Sequence, residues 1–297
     1  MIINSQNLRT LGIGFKATFQ NALKGSASTW ATIATQVDAT TKQQEYGWLR
    51  SLPRIREWIG DRQINNLGVY DYVIKEKPWE GTLEVDRDDI ETDNLGLYGP
   101  RIQMLGDAAS SHYDELLWPA LNLGWGNFCY DGQFFFDTDH PRFDKDGAVV
   151  STANTDGGSG TPWFLFTTDC PIKPLILQKR KDFQFVSKDA PNDEGVFWQN
   201  KFYYGCDARH NSGYGLWQTI WGSKQPLTVA NYRAALAALQ GMKGDYDRPC
   251  NFKNFVLLVP PSLRAQGAVI VNVMNDAAGA GNPDYQTAKL QVEPWLA

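Results

Sequence analysis

The sequence contains no long apolar run. Its longest uninterrupted hydrophobic stretches are a handful of residues, far below the roughly 20 that a membrane-spanning helix requires. The first residues, Met1 to Gln20, mix Asn, Gln, Arg and Lys among apolar positions, so no secretory leader is expected there. Cysteine is scarce: Cys129, Cys170, Cys206 and Cys250 lie far apart with no C-x-x-C pair. That spacing excludes a zinc ribbon or thioredoxin motif and points to buried free thiols in a reducing compartment. Only three histidines are present, too few for a His-rich transition-metal centre. Basic residues do not predominate either. Twenty-eight Lys and Arg stand against 33 Asp and Glu, a net charge of −5, and the pI near 5.3 argues against a dedicated nucleic-acid binder. No G-x-S-x-G elbow or Walker A sequence occurs, and Gly12-Ile13-Gly14 lacks the third glycine of a dinucleotide fingerprint.

Aromatic residues are what the chain has in abundance. Eleven Trp, 12 Tyr and 15 Phe make up 13% of 297 residues. Such side chains dominate cores, sugar-binding clefts and protein interfaces, and composition does not choose among these. With 42% hydrophobic and 21% charged residues, the chain has a globular composition and length for one large domain or about two compact units.

The hydrophobic pattern predicts an α+β protein. Leu8, Leu11, Phe15, Phe19 and Leu23 recur at spacings of three and four, which predicts an amphipathic helix over 4–25. Ser, Thr and Ala then dominate to Thr41, an extended connection. Arg54–Ile59 and Val69–Lys75 have strand composition with turn chemistry between them, and Thr82–Val85 resumes a strand after Pro78. This two-stranded excursion has too few apolar partners to stand alone. Ile102, Leu105, Ala109, His112, Leu116 and Ala120 predict a long helix, with Pro100 near its start, Gly124 at its end and Pro119 kinking it or ending it early. Strands are expected at Trp163–Phe166, Pro174–Lys179, Phe183–Val186 and Val196–Tyr204, with Gly213–Trp221 closing that block. After Pro226 the texture becomes α/β: a helix capped by Thr228, a buried strand Phe255–Val259, a helix from Ser262 to about Met274, and a last strand Lys289–Pro294.

Two polar clusters could carry chemistry. Asp137-Thr138-Asp139-His140 offers carboxylates and an imidazole for a cation, but the oxygen ligands and spacing of a calcium loop are missing, and the same residues make a good turn with Asx-type caps. Asp86, Asp88 and Asp89 could form a general acid/base pair in a cleft lined by Trp58 and Trp79, as in a glycosidase. Acids ahead of a helix N-terminus are far more commonly explained by its dipole. Charge is also segregated. From Met1 to Arg56, seven basic residues (Arg9, Lys16, Lys24, Lys42, Arg50, Arg54, Arg56) face two acids, a net +5, whereas Asp86, Asp88, Asp89, Glu91 and Asp93 face Arg87 alone, a net −4.

Read in order, several segments closely resemble one family, the gpT-type major head subunit of Mu-like phages and prophages. They are Glu45-Tyr46-Gly47-Trp48-Leu49, Arg56-Glu57-Trp58-Ile59-Gly60-Asp61-Arg62, and Glu84-Val85-Asp86-Arg87-Asp88-Asp89-Ile90-Glu91. Cys129-Tyr130-Asp131-Gly132-Gln133-Phe134-Phe135-Phe136-Asp137, Asp139-His140-Pro141, Lys173-Pro174-Leu175-Ile176 and Gly213-Tyr214-Gly215-Leu216-Trp217-Gln218 follow. The resemblance implies a structural protein with the tailed-phage major capsid fold: an N-terminal arm (1–44), an extended loop (45–85), a peripheral domain (86–226) with a long spine helix at about 96–124, and an axial-like α/β domain (227–297). In this reading the order of peripheral and axial segments is exchanged relative to usual members of the fold.

That resemblance implies no enzymatic activity, no cofactor and no metal. It implies hexameric and pentameric capsomers in an icosahedral shell around double-stranded DNA, with a scaffolding protein, maturation protease and portal as partners and no membrane. Assembly would take place in the host cytoplasm and the product would be the virion capsid. On the charge segregation, Arg50, Arg54 and Arg56 of one subunit would lie against the Asp86, Asp88, Asp89, Glu91, Asp93 run of another, and Trp58 and Trp79 are further contact candidates. Arg9, Lys16 and Lys24 either face packaged DNA or solvate one side of the arm. A carbohydrate-active enzyme and another virion component, such as a tail-tube or decoration protein, are the alternatives.

Overall fold

A computed structural model describes residues 5–25, 28–46, 49, 72–92, 96–190, 192–275 and 279–297. Its helices are α1 (Ser5–Gly25), α2 (Arg87–Thr92), α3 (Tyr98–Asn122), α4 (Glu194–Gln199), α5 (Val229–Gln240) and α6 (Arg264–Val271). Its strands are β1 (Ala34–Asp38), β2 (Gln43–Glu45), β3 (Val73–Lys75), β4 (Lys77–Asp86), β5 (His140–Phe143), β6 (Val149–Thr152), β7 (Thr155–Gly158), β8 (Trp163–Thr167), β9 (Leu175–Lys188), β10 (Lys201–Tyr214), β11 (Ile220–Lys224), β12 (Phe255–Val259) and β13 (Lys289–Val292). The mixed content is the α+β class expected.

One sheet has the order β1-β9-β10-β4, with β1 parallel to β9 and the other pairs antiparallel. Its two central strands are 14 residues each. Along β10 every second residue from Phe202 to His210 is buried, the period-2 signature of a sheet with one covered face. α1 and α3 supply the cover. α1 contributes Leu8, Phe15, Phe19 and Ala22, and α3 contributes Ile102, Ala109, Tyr113 and Leu117. The two helices approach so closely that a Cβ at Gly106 would lie 2.7 Å from both the Ala22 Cβ and the Phe19 carbonyl oxygen. Only glycine fits there.

The other large sheet has the order β13-β12-β8-β11-β7. Its core strands β8 and β12 are buried at every residue, and their sequences WFLFT and FVLLV are accordingly near-continuous apolar runs. α5 packs on β8 and β11, and α6 on β12 and β13. Phe136 lies against the backbone of β11, where a Cβ on Gly222 would be 2.7 Å from its ring, and Trp125 and Phe164 stack around it.

The block Trp163–Trp221, expected as one sheet, is divided between the two. The chain leaves α3 for β7 and β8 of the second sheet, returns for β9 and β10 of the first, and completes the second with β11, β12 and β13. The physical reason is visible in the residues. β8 is apolar on both faces and needs cover on both, whereas Phe183-Gln184-Phe185 alternates and belongs to a half-covered sheet.

Other expectations shift locally. The strand predicted over Val196–Tyr204 begins as the helical turn α4, which ends at Asn200 in the left-handed region (φ 55°), before β10 starts. Pro78 lies inside β4, an edge strand, where a missing N–H is tolerated. Pro119 sits in the last turn of α3, which runs on to Asn122. α6 ends at Val271, three residues short of Met274, after a 3₁₀ turn at Pro261–Leu263. Thr228 caps α5 as expected, accepting from the Asn231 backbone N–H at 3.2 Å. Of the extended excursion, the described base is β2 paired antiparallel with β3; Arg54–Ile59 lies outside the described residues.

Candidate assembly surface

The acidic run starts where β4 ends. Asp86 pairs with Lys201 across the sheet, and Asp88 and Asp89 occupy the first turn of α2, where carboxylates suit the positive helix end. Ile90 is buried and anchors the turn. Asn200 ties this corner together: its carbonyl accepts from the Arg87 backbone N–H at 3.0 Å and its side-chain amide donates to Asp88 Oδ1 at 3.3 Å. Asp86, Asp88 and Asp89 are therefore solvent-facing at the end of the first sheet. Arg50, Arg54, Arg56, Trp58 and Asp93 lie outside the described residues, as does the side chain of Glu91. Arg9, Lys16 and Lys24 are exposed along α1.

Trp79 is not part of that surface. Its indole N–H donates to the His210 carbonyl at 3.0 Å, and its ring packs 4.3 Å from His112 and stacks at 5.7 Å on His210. It turns into the interface of α3 and the sheet rather than lining a cleft with the acids. Within this cluster neither ring nitrogen of His210, nor Nε2 of His112, has a hydrogen-bond partner among the described residues. Burial, and secondarily the neighbouring His112, pushes the His210 imidazole down to about 3. Burial lowers His112 as well, against the pull of Glu115.

Asp137, Asp139 and His140 are not a set. Asp137 accepts from the Thr138 backbone N–H at 2.7 Å, and its own N–H donates to Asn154 Oδ1 at 3.0 Å. Asp139 is exposed. His140 turns away into the interior, stacks on Trp217 at 4.1 Å and 9°, and lies with Nδ1 2.7 Å from Asp131 Oδ2. The other oxygen of Asp131 accepts from Cys129 Sγ at 3.0 Å and from the Gln133 N–H at 3.1 Å. The ligand-type atoms of Cys129, Asp131 and His140 all lie within 4.8 Å of one another. Sequence reading missed this trio, although C-x-D followed by His nine positions later was in view.

Its chemistry is that of a clasp. Burial would raise the Asp131 carboxyl, but the bonds from His140, Cys129 and Gln133 hold it below the usual range. Burial and the adjacent Asp131 push the Cys129 thiol far up, so it stays protonated. Thiol and imidazole bond the same carboxylate rather than each other, so the imidazole is not placed to activate the sulfur. The 2.7 and 3.0 Å contacts are hydrogen-bond lengths, shorter than the ~3.3 Å separating two ligands of one tetrahedral zinc.

A second polar hub joins three parts of the chain. Asp114 of α3, buried, accepts from Ser28 Oγ at 2.8 Å, the Trp30 N–H at 2.6 Å and the Trp118 indole at 3.2 Å. Thr29 Oγ1 donates to Glu293 at 2.8 Å. The segment after α1, the long helix and the C-terminal turn are thereby fixed to one another.

Comparison with known proteins gives these features a context. A family profile described as the Mu-like prophage major head subunit gpT matches residues 8–296. The Mu-like prophage FluMu major head subunit of Haemophilus influenzae is 39% identical over 272 residues, covering 88% of this chain and 87% of its own length. The major capsid protein of Escherichia phage Mu is 34% identical over 278 residues, covering 92% and 91%. Among solved structures, a chain of the bacteriophage JBD30 procapsid superposes with a TM-score of 0.88 at 38% identity, covering 99% of this chain and 100% of that one. A chain of the JBD30 capsid superposes with a TM-score of 0.76 at 31% identity, covering 100% of both. These likenesses settle the family: the chain belongs to the Mu-like major head subunits of the gpT type.

Proposed function

We propose that this major head subunit, a structural protein rather than an enzyme, builds hexamers and pentamers that close into an icosahedral shell around double-stranded DNA. The observation that carries the reading is the near full-length match to a procapsid chain at a TM-score of 0.88. A scaffolding protein, a maturation protease and a portal are the partners proposed for such a shell, with assembly in the host cytoplasm; four free cysteines are compatible with that setting. No helix among the described residues is long and apolar enough to cross a membrane.

In this reading the first sheet with α1 and α3 is the peripheral unit, the β2–β3 base carries the extended loop, and the second sheet with α5 and α6 is the axial unit. Strands from both sides of residue 227 build the second sheet, so we place the axial unit at 125–170 plus 215–297, with the β9–β10 hairpin inserted between. The exposed acids at the end of β4 and on α2 are a register surface for the basic N-terminal stretch of a neighbour, with Arg50, Arg54 and Arg56 as candidates. Each exposed pair contributes only about 0–1 kcal/mol, but repeated contacts select orientation.

Negative-stain microscopy of the full chain co-expressed with the other head proteins tests the function; closed shells are expected, and rings, tubes or an inert monomer would refute it. Reversing Arg54 and Arg56 to Glu should block shells, and adding Asp88→Lys and Asp89→Lys should partly restore them. Normal assembly of the reversed arginines at low salt would rule out the charge register.

A further inference from the structure

The tip of the long β9–β10 hairpin carries an aromatic pair with no cover. Phe197 and Trp198 on α4 are 71% and 78% exposed and pack edge-to-face on each other at 4.9 Å. Buried aromatics are the usual anchors of protein interfaces, so two adjacent ones left in water call for an occupant. Their surroundings are acidic. Glu194 is exposed on the same turn, and Asp88 is linked to the hairpin through Asn200.

One surface of the same chain has the matching character. Arg9, Ile13 and Lys16 fall at i, i+4 and i+7 on α1, one stripe of the helix. All three are exposed, Ile13 at 63%, and neither cation forms an ion pair among the described residues. The stripe presents an apolar centre flanked by two positive charges, the complement of an aromatic centre beside carboxylates. α1 also lies at the same end of the sheet as α4: a Cβ on Gly12 would stand 3.5 Å from Asp189 Oδ2, just past the end of β9. Each copy thus offers both halves of a contact, and a ring of copies can repeat it head to tail.

We propose that Phe197 and Trp198 of one subunit seat on the Arg9–Ile13–Lys16 stripe of a neighbouring subunit, with Trp198 over Ile13, a cation over the indole face, and Glu194 toward the basic pair. The contact deepens the head-subunit reading and rests on it. DNA is the competing partner for Arg9 and Lys16, but phosphates gain nothing from Ile13 between them, and phosphate contacts are purely electrostatic.

The test is cross-linking in the full chain. Ile13→Cys and Trp198→Cys are introduced together and singly, assembled material is treated with a short bis-maleimide, and denatured products are sized. The double variant should give a ladder of covalent multimers, with each single variant remaining monomeric like the parent. A monomeric double variant in intact shells overturns the contact while leaving the head-subunit reading standing. Dimers from Trp198→Cys alone would mean that tips meet tips, and also overturn it. If the parent chain forms no shells, the reading and the contact fail together. Independently, Arg9→Glu with Lys16→Glu should lower shell yield at least about tenfold, with partial recovery on adding Glu194→Lys. Normal shells with reduced DNA content would assign the stripe to DNA instead.

Discussion

The two sheets bury their residues differently, and the difference separates what one chain completes from what it leaves open. β8 and β12 are buried at every position, flanked by α5 and α6 on their own chain. β10 alternates, and the far half of β9 alternates mostly half-buried with exposed residues, Val186 at 47% exposure. One end of the first sheet carries an exposed acidic corner and an uncovered aromatic pair, and the base of the excursion leads into its other end. The second sheet is a self-contained core; the end of the first is a surface waiting for a second copy.

The sharpest way to break this contrast is to truncate one apolar side chain in each sheet. Phe164→Ala, in the fully buried β8, should cost about 4 kcal/mol of unfolding free energy through transfer and cavity terms. Val186→Ala, on the open face of β9, should stay within about 0.5 kcal/mol. Urea unfolding of both variants checks it, and similar losses would mean that the open face is packed in the single chain.

Asp114→Ala should come next, at about 3 kcal/mol, because it strands the Thr29 and Trp30 backbone N–H groups and the Ser28 hydroxyl that one carboxylate now satisfies. Chemical denaturation gives the number. A loss below about 1 kcal/mol would show that the segment after α1 is not held by this hub.

The third prediction concerns pH. His210 is held neutral in the fold, its value pushed down to about 3 against an ordinary 6.5 when unfolded. The groups around it are His112 and Tyr113 on α3, Trp79 on β4, and Phe183, Asp182 and Lys179 on β9. A histidine with a lowered folded value contributes fully above the unfolded value, and its contribution fades as pH falls from 6.5 toward 3. Stability should therefore drop between pH 6.5 and 4 by something on the order of 2–3 kcal/mol, and His210→Phe should flatten that part of the profile. An unchanged slope in the variant would assign the acid sensitivity to other groups.

The smallest effect is expected at Asp137, Asp139 and His140, where a turn and the Cys129–Asp131–His140 clasp use the side chains without an ion. Chelator-washed particles should carry no stoichiometric metal by elemental analysis; one tightly held ion per subunit would contradict the clasp.

How much of this was legible in the residues depends on the range of the interactions. α1, α3, α5 and β12 could be read because their apolar spacing is a local signal, and Thr228 capped where a cap was expected. The sheet partners of β8 and β11 could not, since pairing across a returning chain leaves no local mark beyond the contrast between two-faced and alternating strands. Val196 and Phe197 have strand composition, yet Gly195 against the Tyr203 ring and Asn200 in a left-handed turn fold them into α4. Trp79 looked like a surface anchor because its neighbours in sequence are polar, but the alternation of β4 turns it inward onto two histidines more than 30 and 130 positions away. The trio of Cys129, Asp131 and His140 lay within twelve residues and was passed over in favour of the more conspicuous Asp-Thr-Asp-His. The acidic run, expected just ahead of the long helix, instead forms a short helix of its own, α2, before α3 begins at Tyr98.

Hydrogen exchange on free subunits and on assembled shells tests the central claim most directly. The account predicts that assembly slows exchange in α1, across residues 46–92 and around α4, while β8 and β12 are equally protected in both states. Uniform protection of the first group in free subunits, or strong protection of β8 and β12 gained only in shells, would contradict it.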